Sequence, residues 1–245
     1  MPRQRTPAET YPVQDLISLC FAAYEHNERD IVRQYDEERW VVNPLWLDNK
    51  DLAEYVPVER TPNTELVKTY LRTPSQSKLV VTDQHRAEAS TALDTIDQWM
   101  FLQTLQGRKV SSFTDTVLTE AKVSEQLPLL KLGLLQFIPQ MVERIQLQQR
   151  ANEQVSEHSR TSEYLGSVGD KVNLSVEVIR SSYLTSLSCW VVTANTDEGN
   201  LVQWFTSKEE CTKSGQYKGI IKGTEVSDYL QGAKVTTLNR VKSVV

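Results

Sequence analysis

The spacing of apolar residues changes once along the chain. Up to about residue 160 they recur every three or four positions, and beyond it they alternate with polar ones. Leu16, Ile17, Cys20, Phe21 and Tyr24 fall at the spacing of an amphipathic helix. Thr82 or Asp83 can cap a second helix whose buried row would hold Ala89, Leu93, Ile96, Met100 and Leu105 before Gly107 ends it. Phe113, Val117 and Leu118 predict a shorter helix. The apolar run Leu127 to Ile138 and the polar run from Pro139 to about His158 predict two more, with Pro139 suited to a first helical turn. The last of these keeps apolar residues only at Met141, Val142, Ile145 and Leu147, as a helix leaving a core would. Between residues 40 and 78, Pro44, Pro57, Pro62 and Pro74 interrupt Trp40, Trp46, Leu47, Tyr55 and Val56, which predicts an irregular connector.

Past residue 160 the period is two. Val172, Leu174, Val176 and Val178 alternate with Asn173, Ser175 and Glu177, one row for an interior and one for solvent. A second strand is expected from about Leu187 to Ala194, ending at the turn Thr196-Asp-Glu-Gly-Asn200. A third follows over Leu201 to Thr206, a fourth over Tyr217 to Thr224, and a last over Lys234 to Val244. On the last strand, strict alternation puts Thr236, Leu238, Arg240 and Lys242 on one face and Val235, Thr237, Asn239 and Val241 on the other. Five strands of this size and order, with Gly219 and Gly223 where strands would bend, fit a five-stranded OB-like β-barrel. A small β-sandwich or an SH3-like barrel gives nearly the same pattern. The fold class expected is therefore α+β: a helical N-terminal region, then the barrel.

Composition sharpens that division. Seven of the nine glycines lie after residue 160, and all nine prolines lie at or before Pro139. Residues 161–245 carry nine basic and nine acidic residues, so the whole net charge of −5 belongs to residues 1–160. The domains expected are a mainly helical acidic one, 1–160, containing the irregular segment 40–78, and a barrel, 161–245. No apolar run reaches the 18–20 residues of a membrane helix, because the longest, Leu127 to Ile138, contains Lys131. The first residues, with Arg3, Arg5, Glu9 and Asp15 among prolines, lack a signal-peptide pattern, which predicts a cytoplasmic protein. Cys20, Cys189 and Cys211 are odd in number and widely spaced, and are expected to be reduced.

The residue types for single-strand binding are present. Such binders stack bases on aromatic rings and track the backbone with cations. Tyr183, Trp190, Trp204, Phe205 and Tyr229 supply rings, with Tyr217 a further one, and Lys218, Lys222, Lys234, Arg240 and Lys242 supply charge. Trp204 and Phe205 are neighbours on one strand, so one points inward and the other outward. The plain alternative for a ring is a packed barrel interior, and for a lysine a solvated strand edge that resists aggregation.

Catalytic chemistry finds less footing. His26, His85 and His158 are scattered without metal-ligand spacing, and there is no phosphate-loop motif. Asp115, Glu120 and Lys122 have the residue types of a carboxylate-metal nuclease, but Glu120 and Lys122 are two apart on a predicted helix and diverge. Cys20 lies on an apolar stripe, as a core thiol would. No catalytic residue, metal site or cofactor is expected.

Ser162-Glu-Tyr-Leu-Gly-Ser-Val-Gly-Asp-Lys-Val172, Thr196-Asp-Glu-Gly-Asn200, Ile221-Lys-Gly-Thr224 and Thr237-Leu-Asn-Arg-Val-Lys242 together resemble the C-terminal domain of a group of bacteriophage proteins of DNA metabolism. Val80-Val-Thr-Asp83 opening a helix, and the Pro139-Gln-Met-Val-Glu-Arg144 helix before the barrel, are similar to their helical half. The resemblance spans roughly residues 79–245. It implies a phage-encoded, nucleic-acid-linked protein; with the rings and cations above, the expectation is a non-catalytic accessory protein in the host cytoplasm, binding single-stranded nucleic acid in replication, recombination or transcription. The alternative is a protein-interaction module whose acidic helices, particularly Glu25 to Arg39, bind a phage or host polymerase or defence factor.

Overall fold

A computed structural model describes residues 9–35, 40–42, 55–57 and 60–244, with the backbone alone described at 40–42 and 55–57. Pro44, Trp46 and Leu47, and the end of the Glu25 to Arg39 segment, lie outside the described residues. The architecture is α+β, with helices N-terminal and a closed five-stranded barrel C-terminal. Two compact units, Met1–Gln146 and Leu147–Val245, divide the chain.

In the first unit, β1 (Thr10–Pro12) pairs antiparallel with β4 (Gln126–Pro128), and β2 (Trp40–Val42) with β3 (Tyr55–Pro57). Helix α1 (Val13–His26) carries the expected stripe, yet it is buried on every side from Leu16 to Tyr24 and forms the centre of the unit's core. Helix α2 (Asn63–Arg72) was not expected within the Pro-containing connector. It starts directly after Pro62 and buries Leu66 and Val67. Helix α3 (Asp83–Leu105) starts as expected at Thr82, whose side chain accepts from the His85 N–H while the His85 ring accepts from the Thr82 N–H. His85, Ala89, Ala92 and Ile96 form its buried row, but Leu105 is exposed. Helix α4 (Ser112–Lys122) is as expected.

The run Leu127 to Ile138 is not one helix. Leu127 belongs to β4, Leu129–Lys131 form a 3₁₀ turn, and α5 is only Leu132–Leu135. Its apolar residues answer to the core around them rather than to a helical face: Leu127, Leu129, Leu132, Leu135 and Ile138 are all buried. Helix α6 (Ile138–Ser159) begins in the first unit and ends in the second.

The second unit is the barrel: β5 (Lys171–Leu184), β6 (Cys189–Thr196), β7 (Leu201–Thr206), β8 (Gly215–Ser227) and β9 (Ala233–Ser243). The order is β5-β6-β7-β9-β8, closed by β8 against β5, with β7 and β9 parallel and the other pairs antiparallel. This order is compatible with an OB-like fold. Val176, Val192, Ala194, Val202, Trp204, Tyr217, Ile221 and Leu238 fill the interior. Space demands a glycine at neither expected bend: a Cβ at Gly219 would meet Val241 at 3.4 Å and the Asn239 carbonyl at 3.5 Å, ordinary contact distances, and Gly223 has open space. The run Ser162 to Asp170 straps the barrel. Ser162 Oγ donates to the Lys234 carbonyl and accepts from the Leu201 N–H, and the Ile221 N–H donates to the Asp170 carbonyl. On the outer face, α6 supplies Val155 to a small apolar cluster with Leu201, Leu230, Ala233 and Val235, and His158 reaches Asn195.

Candidate functional site

Register assigns each expected ring to a face, because residues directly opposite across a ladder share a side. Trp204 pairs with Val192 and points inward; it is fully buried, and its Nε1 donates to the Cys211 carbonyl at 3.1 Å. Trp204 is therefore core and cannot stack on a ligand. Its neighbour Phe205 pairs with Val191, faces outward and is 51% exposed. Tyr183 and Trp190 oppose each other in a T-shaped contact at 5.2 Å, on the inward-facing side where β5 and β6 run on to their hairpin. Tyr183 is half exposed, and Trp190 is partly buried against the interior. Tyr229, in the 3₁₀ turn between β8 and β9, is 66% exposed.

Arg180 was missed from sequence. Ile179 is an extra residue on β5: Val178 pairs with Ala194, yet Arg180 pairs with Thr193. That bulge turns Arg180 to the outer face, where its guanidinium lies 4.8 Å from the Tyr229 ring centre. The apolar pair Val178-Ile179, which breaks the alternation, is the signal that could have located it. The outer face of β5, β6 and β7 thus bears Arg180, Phe205 and, from the β8–β9 turn, Tyr229. Further along the same strands, α6 covers Asn195 and Leu201.

The expected cations stand elsewhere. Lys218 pairs with Lys242, both exposed, on β8 and β9. Lys222 and Arg240 are the extra residues of two bulges in those strands, and Arg240 takes a left-handed backbone at φ 51°. The Arg240 bulge returns Val241 to the interior and Lys242 to solvent, which corrects the strict alternation expected for β9. Lys234 is committed to Glu163, at 2.8 and 2.6 Å from its two carboxylate oxygens. The structure does not bring Lys218 and Lys242 to the row of Phe205. From the Lys218 row to the Phe205 row runs about nine residues of β5, roughly 30 Å of strand contour.

A cleft in the first unit, about 100 Å³ and lined by Tyr24, Glu25, Arg29, His85 and Glu143 among others, also collects polar groups. They are mutually satisfied. Both His85 ring nitrogens are occupied, Nδ1 by the Thr82 N–H and Nε2 by the Glu25 carboxylate. Tyr24 donates to Glu143 at 2.6 Å, and Arg29 lies 2.9 Å from the same carboxylate. Burial first, and then Glu143, pushes the Tyr24 hydroxyl pKa up. Glu120 pairs with Lys131 and Lys122 with Asp97, so the acid and lysine weighed as a nuclease set turn to different partners. Among the described residues no helix is long and apolar enough to cross a membrane, and no three His, Cys, Asp or Glu side chains group as a metal ion would need.

Compared with protein-family models, curated proteins and solved structures, the chain shows no match.

Proposed function

We propose that this is a non-catalytic, phage-encoded nucleic-acid-binding accessory protein that takes single-stranded DNA on the outer face of the barrel in the host cytoplasm, during replication, recombination or transcription. The observation that carries the reading is the exposed group Phe205, Tyr229 and Arg180. Phe205 is on the third strand of an OB-like barrel and Tyr229 in the turn between its fourth and fifth, both places where such barrels take oligonucleotides, and Arg180 joins them from the first strand. A ring face accepts any base, and a guanidinium beside a ring adds charge without reading sequence. The resemblance of the short motifs within residues 162–242 to phage proteins of DNA metabolism is in keeping with this reading.

The test is the affinity of labelled oligothymidylate for the full chain with Phe205→Ala and Tyr229→Ala. One stacked base is worth ~1–3 kcal/mol, so each variant should weaken binding by roughly 5- to 150-fold. Unchanged affinity in both variants would refute the platform.

A second reading, a module that binds a phage or host replication or transcription protein, has one observation in its favour. Phe101, Leu102 and Leu105 at the end of α3 are 64%, 47% and 68% exposed. A stoichiometric protein partner that survives nuclease treatment, captured by wild-type protein and lost on Leu105→Asp, would favour it.

A further inference from the structure

Away from the rings, the barrel carries a face with no acidic residue. Two ladder rows cross β5, β8 and β9: Lys171–Ile220–Asn239 and Asn173–Lys218–Lys242. Ser175 and Gln216 extend the face, and a groove of about 350 Å³ runs between Asn173, Ser175, Gln216 and Lys218. Opposite residues share a side, so Lys171, Lys218 and Lys242 all project from it. The Lys218 and Lys242 Cβ atoms are about 5 Å apart by ladder geometry, and Lys171 stands on the diagonal at about 7–8 Å from Lys218. All three are exposed, and none has an acidic partner among the described residues.

This arrangement works against folding. Like charges directly opposite on a ladder repel. Lys242 reaches the outer face only because Arg240 adopts a left-handed backbone that a non-glycine residue resists. Guarding a free strand edge accounts for part of this, since β5 at Lys171 and β9 at Lys242 pair with β8 alone, but not for Lys218, which lies on β8 with a ladder on both sides. A ligand that brings negative charge at short, regular intervals would relieve the repulsion, and a polynucleotide backbone does so.

Resting on the single-strand reading above, we infer that Lys171, Lys218 and Lys242 form a second site, a phosphate track for the backbone of the same strand that stacks at Phe205 and Tyr229. About 30 Å of strand contour separates the two, so a short oligonucleotide reaches only one of them. The track gives affinity and salt dependence, and the rings give the single-strand preference.

The test compares oligothymidylates of about 5 and about 16 nucleotides, lengths at the two ends of the site sizes such barrels show. It uses the full chain and the triple variant Lys171→Gln/Lys218→Gln/Lys242→Gln. Losing about three phosphate contacts should flatten the plot of log K against log salt by about 2 on the longer strand, at about 0.7 per contact. The ring-dependent binding of the shorter strand should remain. The corresponding triple Lys→Arg variant should keep the wild-type slope. An unchanged slope on the longer strand, or equal loss at both lengths, overturns the track while leaving the ring platform standing. Failure of the wild-type protein to bind either strand overturns both.

Discussion

Trp204 and Phe205 are adjacent in sequence and should respond to truncation in opposite ways. Trp204 is fully buried among Val192, Tyr217 and Leu238, and its indole N–H is spent on the Cys211 carbonyl. Trp204→Ala empties a large interior volume at about 3–5 kcal/mol and orphans that carbonyl for about 1 kcal/mol more. Phe205 is 51% exposed, so Phe205→Ala gives up about half of a phenylalanine's burial, ~1 kcal/mol. Urea unfolding followed by hydrogen exchange of the β6 and β7 peptides reads the barrel separately from the helical unit. At ~1–2 kcal/mol per molar urea, Trp204→Ala should lower the barrel midpoint by roughly 2 M or more, and Phe205→Ala by less than about 1 M. Oligonucleotide affinity should follow the opposite ranking when both are compared under conditions where the barrel is folded. Equal destabilisation by the two variants would mean that the ladder register does not assign inside and outside as described.

Two further outcomes follow from the helical unit. Thr82→Ala removes the acceptor for the His85 N–H at the start of α3 and should cost ~1 kcal/mol, read as faster hydrogen exchange in the first turn of α3; unaltered exchange there would count against the cap. Burial pushes the Cys20 thiol up to about 12, so the folded state holds its proton more tightly than the unfolded one. That stability is fully present below the unfolded thiol's pKa, near 9, and is lost as pH rises toward 12, at no more than ~1.4 kcal/mol per pH unit. Cys20→Ala should flatten this alkaline slope in urea titrations, and an identical slope in the variant would exclude the thiol as its source.

Where periodicity was regular, the sequence was a sufficient guide. The alternation of Val172 to Val178 is the inward row of β5, and the Thr82 cap opens α3. It misled where an element's identity is decided by its surroundings. Leu127, Leu129, Leu132, Leu135 and Ile138 are apolar because they are buried, not because they share one helix, and α2 follows Pro62 inside a stretch whose prolines suggested a connector. The candidate site divides in the same way. Residue types named most of the rings and cations, but faces depend on parity, and parity is reset by single extra residues. The bulge at Ile179 brings Arg180 beside Tyr229, and that at Arg240 sends Lys242 outward. Lys171 was not among the expected cations, although it occupies the same polar row as Asn173 and Ser175.

The end of α6 has a practical consequence for anyone who wishes to isolate the barrel. The composition shift near residue 160 invites excision just after the helix, yet Val155 covers Leu201, Leu230 and Val235, and His158 is held by Asn195. A fragment starting at residue 161 would lay that greasy seam open to water and would be prone to stick to its own copies. One starting at Leu147, partway along the helix, would carry its own cover with it.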